Sequence, residues 1–147
     1  VLRNPTAANE IGFARETCFD YQSSARQLER VADHATKIAE LALEIGPVPD
    51  DAAEPLRELH SEAAKIPETA MDALLAGDSE DAVDLASEAR SHVDVIDGIV
   101  REVDQQIHEY DPQVAQVLGL VIDSLSRTAD YGTNIAESAL QKSAPRP

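Results

Sequence analysis

Apolar side chains return at steps of three and four along most of the chain and almost nowhere alternate, a pattern that predicts helices and no sheet. A first long helix is predicted from about Ala8 to Ile45, with Leu28, Ala32, Ala35, Ile38, Ala42 and Ile45 as its stripe. Gly46-Pro47-Val48-Pro49 cannot continue it. A second helix opens at Asp50 or Asp51 and carries Leu56, Leu59, Ala63, Ile66, Ala70 and Ala73; Pro67 lies inside and should bend it, and Gly77-Asp78 ends it. Ser79, with Glu80 and Asp81 behind it, reads as the N-cap of a third helix whose seam runs from Ala82 through Ala89, Ile96 and Val103 to Ile107. Asp111-Pro112 then pairs an N-cap with proline at the first helical position, launching a fourth helix through Leu118, Ile122, Leu125, Ala129 and Ile135 to about Lys142.

Long helices joined by a few residues must run antiparallel to their neighbours. The expected fold is therefore all-α, an antiparallel up-down bundle of four helices about 40–55 Å long. A chain of 147 residues fits one domain, residues 1–147, with 144–147 as a flexible tail.

Composition narrows the setting. The chain has 28 acidic and 12 basic side chains, a net charge of −16, and only three of the cations are lysine. Such a surface repels a phosphate backbone, so direct nucleic-acid binding is not expected. There is no apolar run of the roughly 18 residues that a membrane span needs and no signal-like opening, so a cytoplasmic protein is expected. The acid excess also fits the protein of a halophilic archaeon, and 43% apolar residues in periodic order argue against disorder. The single cysteine, Cys18, offers no disulfide or paired-thiol site and reads as packing.

Sliding the chain along itself gives one clear match, at an offset of 97 residues. Leu28 to Glu40 (LERVADHATKIAE) lies over Leu125 to Glu137 (LSRTADYGTNIAE), with 8 of 13 positions identical. Both segments resemble the signature of the PhoU family, phosphate-uptake regulators built from repeated three-helix units whose last helix reads roughly L-E-R-I-G-D-H-A-x-N-I-A-E. The family's middle-helix motif D-x-x-V-D-x-L resembles Asp94-Val95-Ile96-Asp97-Gly98-Ile99, and its last helix often opens on Asp-Pro, as at Asp111-Pro112. On this register residues 8–45 are the helix ending repeat one, and residues 50–143 are a complete repeat two. Two helices of repeat one are missing, so the resemblance implies an N-terminally incomplete chain. The first helix is expected to pack on the other three and to leave apolar surface for self-association, giving a homo-oligomer.

Along the first repeat helix, Glu29, Asp33, Thr36 and Glu40 fall within a narrow sector beside the apolar seam. Asp130, Thr133 and Glu137 hold the same places in the second copy, with Ser126 where the family carries Glu and Asp123 one turn earlier on the same side. Carboxylates spaced in this way suit a hard cation, although acidic spacings are also common on the solvated face of so acidic a chain. The resemblance implies metal on such motifs. Carried over, the candidate ligands are Glu29, Asp33, Asp94, Asp97 and Asp130, for a divalent or ferric ion (Fe, Mn, Mg or Zn), the second site being weakened by Ser126.

Arg30 and Arg127 recur in the repeat and read as partners of neighbouring carboxylates, with a phosphate contact as the sharper alternative. His34, His60, His92 and His108 show neither His-x-x-x-His nor Glu-x-x-His spacing, so a ferritin-like di-iron oxidase is not expected. His34 points well away from Asp33 and reads as a surface or interhelical residue; His108, four after Asp104, reads as a local salt link or a remote ligand. There is no Gly-rich phosphate loop, nucleophile elbow or Cys/His dyad.

By resemblance the chain is a non-enzymatic regulator that contacts the ATPase subunit of a phosphate ABC transporter, or a phosphate signalling protein, and restrains uptake when phosphate is plentiful. The alternatives are a metal-binding or metal-storing bundle and an oligomerisation module of a larger transcriptional regulator.

Overall fold

The computed structural model describes Thr6 and residues 15–144. Four helices follow in order: α1 (Arg15–Ile45), α2 (Asp50–Leu75), α3 (Ser79–Ile107) and α4 (Pro112–Ser143), with no strand among the described residues. The all-α class and the four long helices agree with the sequence. The expected first turns of α1, from Ala8, and most of the expected tail lie outside the described residues.

Local chemistry sets the helix ends. Gly46 takes the left-handed conformation at φ +66°, and its N–H donates to the Ala42 carbonyl, closing α1 where a side chain would be strained. Asp78, rather than Ser79, caps α3: its carboxylate accepts from the backbone N–H groups of Glu80 and Asp81, and Ser79 is already helical. Asp111 accepts from Gln113 N–H with Pro112 behind it, as the dipeptide predicts.

α2, α3 and α4 form a three-helix unit around Leu59, Ile66, Leu74, Val103, Leu118 and Ile135, all essentially inaccessible to solvent. α2 runs through Pro67 as one continuous helix, and the proline is buried against α4. A Cβ built on Gly132 of α4 would lie 2.6 Å from Pro67 N and 2.7 Å from Ile66 Cγ2. Glycine is thus what allows the two helices to approach so closely.

α1 is held differently. It packs along α4 and forms no comparable interface with α2 or α3. Cys18, Ser24 and Leu41 are buried on it, with Val31, His34, Ile38 and Ile45 half-buried, whereas Leu28, Ala32, Ala35 and Ala42 of the expected seam are exposed. With α4 as the main partner, burial moves to the flank facing α4.

Candidate functional site

The two copies of the repeat are α1 and α4, and they lie against each other. Gln27 Oε1 accepts from Asn134 Nδ2 at 3.1 Å, and Lys142 Nζ donates to Tyr21 Oη at 3.3 Å, so the helices run antiparallel. Beyond the Gln27–Asn134 bond, on the side away from Tyr21 and Lys142, the rings of His34 and Tyr131 meet at 5.7 Å, tilted by 39°. These residues occupy the same position of the 97-residue repeat. Two antiparallel helices of like sequence that touch at like positions are related by a local two-fold axis, and this one passes beside His34 and Tyr131. Arg30 lies over the Tyr131 ring, 5.7 Å from its centre, in cation–π contact instead of the carboxylate pairing expected of it. Arg127 does reach carboxylates, loosely, at 3.9 Å from both Asp123 and Asp130.

Each candidate ligand is exposed: Glu29 and Asp33 on α1, Asp94 and Asp97 on α3, Asp130 on α4. α1 and α3 do not pack together, so the aspartates of the middle helix are not carried to the α1 stripe. Among the described residues no three His, Cys, Asp or Glu side chains gather as metal ligands. The repeated threonines are also otherwise engaged: Thr36 donates to the Ala32 carbonyl and Thr133 to that of Ala129, the same bond in both copies.

Two polar ties went unread in the sequence. Glu62 accepts from Lys65 Nζ on its own helix and lies 2.6 Å from His92 Nδ1 on α3, and these contacts hold its carboxyl below the usual range, Lys65 most strongly, against the opposing effect of burial. Lys142 donates to the Leu74 carbonyl at 2.7 Å and lies over the Tyr21 ring, joining the last turn of α2 to α1 and α4. No spacing rule reveals partners 30 or 68 residues apart. Gly132 did leave a signal, being the one glycine where the other repeat copy has alanine, Ala35.

An all-helical unit ending in a repeat helix, doubled by a second copy of that helix across a local two-fold, defines the class as a helical-repeat bundle. The PhoU domain model matches residues 56–139, spanning most of α2, all of α3 and most of α4, and more than half of the chain. The chain belongs to the PhoU family, a family of regulatory helical domains. Searches of curated proteins and of solved structures found no match. No helix among the described residues is long and apolar enough to cross a membrane.

Proposed function

We propose that the chain is a cytoplasmic regulator of phosphate uptake that works by protein contact, restraining a high-affinity phosphate transporter through its ATPase subunit or through a phosphate signalling protein. The observation that carries this reading is the PhoU match across the three-helix unit. The pairing of α1 with α4 supports it, since both copies of the signature segment are helical and adjacent. Affinity capture of the transporter's ATPase subunit by the full chain tests it: retention with phosphate present is expected, and capture of neither the ATPase subunit nor a phosphate signalling protein contradicts it.

A second reading, metal on the acidic stripe, is favoured by the recurrence of aspartate at Asp33 and Asp130, directly before the paired rings. Its test is metal analysis of the purified chain beside Asp33→Ala. Bound metal that falls with the substitution supports it, and none bound or gained on metal addition removes it.

A further inference from the structure

We draw no further inference here: the strongest candidate, the apolar groove between α1 and α2 walled by Leu28, Ala35, Ile38, Pro67 and Met71, carries none, because nothing in the structure shows what covers it.

Discussion

His34 and Tyr131, 97 residues apart in sequence and equivalent in the repeat, meet ring to ring at the crossing of α1 and α4. A contact on a local two-fold is made once, whereas every other contact across it can occur in two versions. Only there does a substitution in one copy meet its own counterpart. Histidine against tyrosine breaks the symmetry at that point, and His34 Nδ1 is buried without a protein hydrogen-bond partner. His34→Ala should destabilise the fold by about 1–2 kcal/mol through lost ring contact and packing. His34→Phe, which keeps the ring and removes the unpaired nitrogen, should be neutral or stabilising by up to about 1 kcal/mol. Denaturant melts of the two variants check both signs.

Glycines separate packing from propensity. Gly132→Ala gains about 1 kcal/mol of helix propensity but drives a methyl into the Pro67 backbone and Ile66, so a net loss of about 1–3 kcal/mol is expected. Gly98→Ala, inside α3 with nothing within 4 Å of the new methyl, should instead stabilise by about 0.5–1 kcal/mol. Thermal melts showing both changes of the same sign would contradict the close approach of α2 and α4.

The helices could be read almost completely from periodicity and end chemistry, because a buried stripe and a cap leave local marks. Asp111-Pro112 and Gly46 act as read, and the Asp78 cap differs by one residue. Which face α1 would bury could not be read, since that depends on how many helices lie beside it. The repeat was legible in one dimension, but its meaning, a crossing with His34 against Tyr131, needs two helices brought together. The candidate ligands show the same divide: the spacing put Glu29 and Asp33 on one sector and Asp94 and Asp97 on another helix, and only packing shows that the two do not meet.

Acid should weaken the α2–α3 contact in a defined direction. The Glu62 carboxyl is held below its ordinary value, so its contribution is fully present above the unfolded carboxylate range and is lost as pH falls through the lowered folded value. Melting temperature should fall across about pH 5 to 3, and Glu62→Gln should flatten that limb while lowering the neutral plateau. An unchanged limb in Glu62→Gln would assign the acid sensitivity to other carboxylates.

Lys142 closes the end of the molecule where α1, α2 and α4 meet. Lys142→Met keeps most of the stem but removes the donor to Leu74, and a loss of about 1–2 kcal/mol is expected. Hydrogen exchange should quicken at the last turn of α2 and the N-terminal turns of α1 before the centre of α4. Uniform exchange across the chain would count against a local tie.

With −16 on 147 residues, added salt should stabilise. Raising KCl from about 0.1 to 2 M screens the carboxylates from one another, and the melting temperature should climb. A flat or falling response would show that self-repulsion does not govern this fold.

Phosphate regulation itself is most directly tested in cells by the initial rate of labelled phosphate uptake at high external phosphate, with the gene deleted and with the full chain restored. The account predicts a higher rate in the deletion strain, returned to the parental level by the restored chain. Identical rates in the parent, deletion and restored strains would contradict it.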